Sequence, residues 1–359
     1  MKKNIILSAF NIHTGGGFVL IKDLLKSNLI KVRLLDSRIK NKINFKLKNT
    51  FFSKREIIER VYKFHKLCFL SKKNNKIICL NGLPPFLFKP KAKVILFIQT
   101  FYFFSKINYF TNIKSFRFSL LVFLRIKLEQ LWFRLGIKNA DEIWLQTPTM
   151  KKRFIKYLYN NKIKKKFTIK ILPYLDKQSM LYFDKFNRIE KNNVKKNLFI
   201  YPADHSGHKN HTRLLNAFSK VKRDFKLYLT LENKKFDKLL KKINLNNDTK
   251  SKIENLGQIS RKELFSIYKN KVGTLIFPSI DESFGLPLIE AALLKKNILV
   301  SNHDYHKDIL SNAITFNPFS ISSIEKTIKK FLDKKKIINT KLKNINFIDS
   351  KIFLIGGKN

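Results

Sequence analysis

The chain has 359 residues, with 74 Lys and Arg against 25 Asp and Glu and a formal net charge of +49. Its 44% hydrophobic content excludes a disordered polyelectrolyte, and its 28% charged content excludes a bundle of membrane-spanning helices. Two cysteines, Cys68 and Cys79, build neither a disulfide framework nor a metal set, which fits a reducing compartment. The charge itself has three readings: nucleic-acid binding, attraction to an anionic membrane surface, or a compositional background. The excess is mostly Lys and arrives with abundant Asn, Ile and 34 Phe, the set that an AT-rich coding sequence produces without selection for charge.

Short apolar runs alternate with longer amphipathic ones. Residues 3–10 read as a buried strand, followed by a glycine turn and a helix from about Phe18. Residues 76–80 and 94–98 read as strands, and 117–135 as a long helix. Residues 142–146 form a strand ending in Thr147-Pro148, a helix N-cap with proline at the first helical position, which opens a helix over 150–159. Residues 167–172 are the next strand. Residues 173–196 show no sustained period and read as a linker. The alternation restarts with strands at 197–201, 226–231, 253–256, 273–277 and 298–301. Helices lie near 210–221, 234–243, 286–294 and 322–332, with another opened by the capping box of Ser260 and Glu263.

Strands interleaved with helices predict parallel sheets covered on both faces. The fold expected is α/β, two doubly wound Rossmann-like domains facing across a cleft: residues 1–185, then 186–335, with a tail at 336–359 that returns toward the first domain. Ligands in such sheets bind outside the carboxyl ends of the strands. No run is long and apolar enough to span a membrane, and no signal peptide is recognisable at the start.

The most informative stretch is 277–292, Phe-Pro-Ser-Ile-Asp-Glu-Ser-Phe-Gly-Leu-Pro-Leu-Ile-Glu-Ala-Ala. A buried strand ends in a loop holding Glu282; Gly285 permits close backbone approach, and Pro287 suits a first helical turn. Glu290 falls within the first turns of that helix and is expected to point back toward its start. The result is a helix amino-terminus able to attract an anion, flanked by two carboxylates suited to sugar hydroxyls. Upstream, 201–212 places Lys209 between a strand and a helix, where an ammonium can meet phosphate. Near the beginning, Gly15, Gly16 and Gly17 follow the first strand, where backbone amides can approach phosphate oxygens.

The string from Glu282 to Glu290 resembles the E-x7-E signature of the group 1 (family 4) glycosyltransferases, retaining enzymes of the GT-B fold. The resemblance implies that Glu290 holds the ribose of a nucleotide-sugar donor. It implies that Glu282 and the amides of Ser283, Phe284, Gly285 and Leu286 bind the transferred sugar and diphosphate. Lys209 takes the place of the family's diphosphate lysine, with His208 beside it, and Glu282 and Lys209 are the expected catalytic pair. The glycine turn is similar to the one in the family's first domain. The arginine common near Ala203 is missing, and the expected first-domain histidine is replaced by Gln99, which cannot shuttle a proton at neutral pH.

The activity implied is a retaining, metal-independent transfer of a sugar from a nucleotide-sugar to a glycan acceptor. That acceptor is read as lipid-linked, in surface polysaccharide or lipopolysaccharide synthesis in the cytoplasm. No cofactor and no nucleic-acid partner are expected, and peripheral contact with an anionic membrane is. A GT-B epimerase, an inactive homologue and a basic nucleic-acid-binding protein are the alternatives. His205, His208 and His211 stand at spacing three, but Gly207 breaks any helix through them and no metal is expected there. The basic amphipathic segments 51–73 and 117–135 read first as core-facing helices with a solvated basic back, and second as a surface resting on anionic lipid.

Overall fold

The computed structural model describes residues 4–43, 47–104, 120–186, 195–243, 245–334 and 340–357. The chain divides into two units, the first of residues 1–107, 119–180 and 346–359, the second of residues 108–118 and 181–345. Residue 3 of the expected first strand, residues 117–119 of the expected long helix and residues 187–194 of the expected linker lie outside the described residues.

In the first unit the elements are β1 (Asn4–Ala9), α1 (Gly15–Leu24), β2 (Ile30–Asp36), β3 (Thr50–Ser53), α2 (Ile57–Phe69), β4 (Asn75–Cys79), β5 (Lys93–Ile98), α3 (Leu120–Gly136), β6 (Glu142–Leu145), α4 (Pro148–Asn160) and β7 (Thr168–Ile171). The seven strands form one sheet in the order β3-β2-β1-β4-β5-β6-β7, every pairing parallel. Strand order reverses between β1 and β4, so the loop after β1 opens at the switch point. The glycines are not a separate turn: Gly15, Gly16 and Gly17 are already the first turn of α1. Thr147 caps α4 as expected, its hydroxyl accepting from the Met150 amide at 3.2 Å.

The second unit runs α5 (Lys177–Phe186, which begins in the first), β8 (Leu198–Tyr201), α6 (His211–Phe218), β9 (Lys226–Leu229), α7 (Asn233–Leu240), α8 (Asn247–Ser251), β10 (Ile253–Asn255), α9 (Arg261–Asn270), β11 (Thr274–Phe277), α10 (Leu286–Leu293), β12 (Asn297–Ser301), α11 (Asp304–Lys307), β13 (Leu310–Ser311), β14 (Ile314–Phe316), α12 (Ile321–Asp333) and β15 (Lys341–Leu342). Six strands form a parallel sheet in the order β10-β9-β8-β11-β12-β14, and β13 pairs with β15 antiparallel. The switch point falls between β8 and β11. Because crossovers between parallel strands are right-handed, the steps β8 to β9 to β10 carry α6 and α7 on one face. The reversed steps β10 to β11 to β12 carry α9 and α10 on the other. Ser260 and Glu263 form the expected capping box, with both reciprocal hydrogen bonds made.

The chain then returns to the first unit through α13 (Ser350–Ile355), a six-residue helix capped by Asp349. Its Phe353 is fully buried, with ring centroids 4.7 Å from Phe97, 5.2 Å from Trp144 and 4.7 Å from Tyr174. The expected linker is therefore partly structural. Tyr174 is buried and donates to the Leu20 carbonyl at 3.1 Å and to Asp23 Oδ2 at 3.0 Å, and α5 begins at Lys177. Single apolar residues anchored by tertiary contacts leave no periodic trace in sequence.

The helix α3 also departs from its expected form. It buries Ile126, Trp132 and Phe133, yet its outward side holds Leu121, Leu124, Leu128, Leu131 and Leu135 as well as basic residues. On α2, Ile58 and Phe69 are exposed in the same way. Among the described residues no helix is long and apolar enough to cross a membrane.

Candidate functional site

The loops after β8 and β11 meet at the switch point of the second unit. After β8 the chain makes a 3₁₀ turn, Gly207–Lys209, and then places Asn210 in the left-handed region at φ 62° before α6 begins. An asparagine tolerates that conformation better than most side chains. The Asn210 amide holds the turn to the neighbouring loops by donating to the carbonyls of Pro278 (3.1 Å) and Pro318 (2.7 Å). The Tyr201 hydroxyl donates to the Lys209 carbonyl at 2.8 Å, and the Ile280 amide donates to the His208 carbonyl at 2.8 Å.

These bonds fix where the Lys209 side chain goes. Its Nζ stands 2.5 Å from Glu282 Oε1, with the two side chains 16% and 12% exposed. Ser279 Oγ donates to the same carboxylate oxygen at 2.6 Å, and the Ser279 carbonyl accepts from the Tyr305 hydroxyl at 3.0 Å. Burial acts to lower the Lys209 pKa, but the carboxylates of Glu282 and Asp204 outweigh it and the net shift is upward. Burial likewise acts to raise Asp204; Lys209 and the Ser206 hydrogen bonds reverse the sign and hold its carboxyl at about 2. Burial, reinforced by Lys209, takes His208 down to about 4, so it is neutral at physiological pH. The cluster is thus a held cation beside two carboxylates.

The same loop feeds α10. Gly285 is its N-cap at φ 68° with no side-chain cap, and Pro287 occupies its first turn. A Cβ on Gly285 would lie 3.1 Å from Leu288 Cδ1, in a conformation that strains any other residue. Ser283 is partly buried and Phe284 is buried, so Phe284 offers its backbone rather than its ring to this loop. Glu290 is 4% exposed and does not stand free at the helix start: its Oε1 accepts from Arg261 Nη2 at 2.5 Å. Arg261 comes from the first turn of α9, on the same face of the sheet.

Of the residues expected from sequence, Lys209 and Glu282 are brought into direct contact, with His208 in the same turn and Ser283, Phe284, Gly285 and Leu286 in the following loop. Glu290 forms a second centre with Arg261. Gly15, Gly16 and Gly17 belong to the first unit, where a Cβ on Gly17 would lie 3.2 Å from Gln99 Oε1. Gln99 follows β5 and donates to the Leu80 carbonyl at 3.2 Å. The sequence reading missed Arg261, Ser279 and Tyr305. The capping box beside Arg261 was the available signal for the first. Among the described residues no group of three or more His, Cys, Asp and Glu could hold a metal ion.

Residues 183–346 match the family model described as "Glycosyl transferases group 1". The chain is 29% identical over 161 residues to the O-antigen chain mannosyltransferase RfbU of Salmonella typhimurium. That match covers 43% of this chain and 44% of the relative, so the chain spans less than half of the curated relative it matches. Among the solved structures that match, two examples cover nearly the whole chain. HepE of Anabaena, in complex with UDP and glucose, aligns with a TM-score of 0.62 at 13% identity over 92% of this chain and 90% of that one. WaaG, a glycosyltransferase involved in lipopolysaccharide biosynthesis, aligns with a TM-score of 0.59 at 13% identity, again over 92% and 90%. Residues 183–346 are thus similar to the group 1 glycosyl transferases, in a chain that shares the two-unit parallel α/β fold of HepE and WaaG.

Proposed function

We propose that the protein transfers a sugar from a nucleotide-sugar donor to a glycan acceptor, with retention at the anomeric carbon and without a metal, in the synthesis of a surface polysaccharide. The observation that carries the proposal is the Lys209–Glu282 contact at the switch point, followed at once by the uncapped amino-terminus of α10. Together they offer a donor diphosphate a fixed ammonium and free helix amides, the arrangement that stabilises a departing phosphate. Glu282 would meet the transferred sugar, and Lys209 would turn from Glu282 to the diphosphate as the donor enters. Glu290, oriented by Arg261, would accept hydrogen bonds from the ribose hydroxyls. The bond from the anomeric carbon to the diphosphate breaks, the acceptor hydroxyl oxygen bonds on the same side, and its proton leaves with the diphosphate oxygen.

Gly15, Gly16 and Gly17 carry the same proposal on sequence resemblance alone. The acceptor is proposed to be lipid-linked and reached from the inner face of an anionic membrane. What supports this is the exposed leucine row of α3 with Arg125, Lys127 and Arg134 interspersed, apolar surface of the kind that monomers seldom leave open. The relative RfbU is named as an O-antigen chain mannosyltransferase, which favours an acceptor of that class. A thermal-shift panel of nucleotide sugars tests the donor half. One base and sugar should raise the melting temperature, since ligand binding to the native state stabilises it. No shift with any member contradicts the proposal.

A further inference from the structure

The turn that holds Lys209 has a second side. Between the start of α6 and the helix α7 lies a cavity of about 250 Å³, lined by His205, His211, Arg213, Lys235, Lys238 and Lys242 among others, none of them acidic. Lys235, Lys238 and Lys242 are spaced by three and four residues, which puts their ammonium groups along one side of α7 and its extension. Two acids adjoin lining residues in sequence without lining the cavity themselves: Asp204, which accepts from the Ser206 amide at 2.8 Å, and the exposed Asp237 of α7.

Two further observations point to a ligand. The helix α6 has no side-chain cap, because Asn210 spends its amide on Pro278 and Pro318 and its oxygen on Arg213. Its positive end therefore opens where the cavity residues His211 and Arg213 lie. His211 is 5% exposed and packs at a tilt against Tyr201 with ring centroids 4.8 Å apart, yet its Nε2 is buried without a hydrogen-bond partner. Buried polar atoms are almost always satisfied, so an orphaned imidazole nitrogen on a residue that lines a cationic cavity marks a place where a partner belongs.

We propose that this cavity is a second anion site, distinct from the Lys209–Glu282 centre, that binds the phosphate group of a small soluble ligand. Right-handed crossovers place α6 and α7 on the face of the sheet opposite α9 and α10, so the lysines of α7 and the amino-terminus of α10 belong to opposite faces. Phosphate oxygens would take N–H donation from His211 and the start of α6, and charge-assisted contacts from Arg213 and the three lysines. The residues between cavity and ion pair, Ser206 to Asn210, are one continuous turn, so occupancy bears directly on the segment that carries Lys209.

Calorimetric titration of the whole protein with inorganic phosphate, at ionic strength held constant with chloride, tests the site. Wild type should bind one phosphate that survives Lys209→Ala. The exposed pair Lys238→Ser with Lys242→Ser should weaken that binding about tenfold or more, the worth of a charge-assisted contact. His211→Phe, which keeps a ring against Tyr201, should weaken it as well. Binding unchanged in both the lysine and histidine variants overturns the proposal, as does binding lost only in Lys209→Ala. A further arm uses phosphatidylcholine vesicles containing phosphatidic acid. If the lysine pair matters only for vesicle binding and not for free phosphate, the soluble-ligand assignment is wrong.

Discussion

Arg261 is the residue whose removal tests the second centre most cleanly. Arg261→Leu keeps a stem that can still cover Phe265 but removes the guanidinium that stands 2.5 Å from Glu290. The Glu290 side chain is 6% exposed and the Arg261 side chain 18% exposed, so the carboxylate loses a cation that water cannot fully replace. Breaking a fully buried pair costs about 3–5 kcal/mol, and an exposed pair contributes about 0–1 kcal/mol. With the arginine partly open to solvent, a loss of roughly 2–3 kcal/mol is expected. The capping box of α9 is untouched, so the helix itself persists. A double-mutant cycle with Glu290→Gln, read by urea unfolding through far-ultraviolet circular dichroism, isolates the pair. The second substitution removes the carboxylate charge that lost its guanidinium partner and should recover part of the loss, leaving a coupling of roughly 1–2 kcal/mol. An Arg261→Leu protein within about 0.5 kcal/mol of wild type, with no coupling, would refute the assignment of Arg261 as the partner that orients Glu290.

Two further predictions follow from the packing and the charges. Burial, aided by Lys209, takes His211 down to about 3 from an ordinary 6.5, so the unfolded chain takes up that proton first on acidification. The stability this contributes is present in full above pH 6.5 and falls as pH drops toward about 3, at up to about 1.4 kcal/mol per pH unit. His211→Phe should flatten the pH dependence of unfolding in that window, and an unchanged slope would show that the group does not titrate as the fold requires. Phe353→Ala should cost about 3–5 kcal/mol, since it empties the space between Phe97, Trp144 and Tyr174. Trp144 emission should shift to the red in the same variant; a wild-type melting temperature would mean that α13 does not close the first unit.

The alternation of strands and helices was legible because buried parallel strands read as short apolar runs and because Thr147 and Ser260 are local caps. Neither signal exists for β2. Arg33 lies in that strand and is 8% exposed, but its guanidinium is turned to the carbonyls of Leu25, Ser27 and Lys48, so a buried strand carries a charge that reads as surface. At the candidate site, Lys209 and Glu282 were recognisable because each follows a strand and precedes a helix. Arg261 was not, because one cation among 74 has no mark in sequence and only the fold brings it to Glu290. The leucines of α3 mixed with basic residues read as a core-facing helix, since periodicity reports that a side is apolar and not what covers it.

The central claim is that the Lys209–Glu282 centre handles the donor diphosphate. The most direct measurement is donor-dependent release of nucleoside diphosphate, in the presence of a glycan acceptor, by wild type, Lys209→Met and Glu290→Ala. Loss of a fixed cation aimed at developing charge lowers kcat by about 10²–10³-fold in comparable sites, so Lys209→Met should fall in that range with the fold retained. Glu290→Ala should act mainly by weakening donor binding and raising KM. Wild-type turnover in both variants would contradict the account.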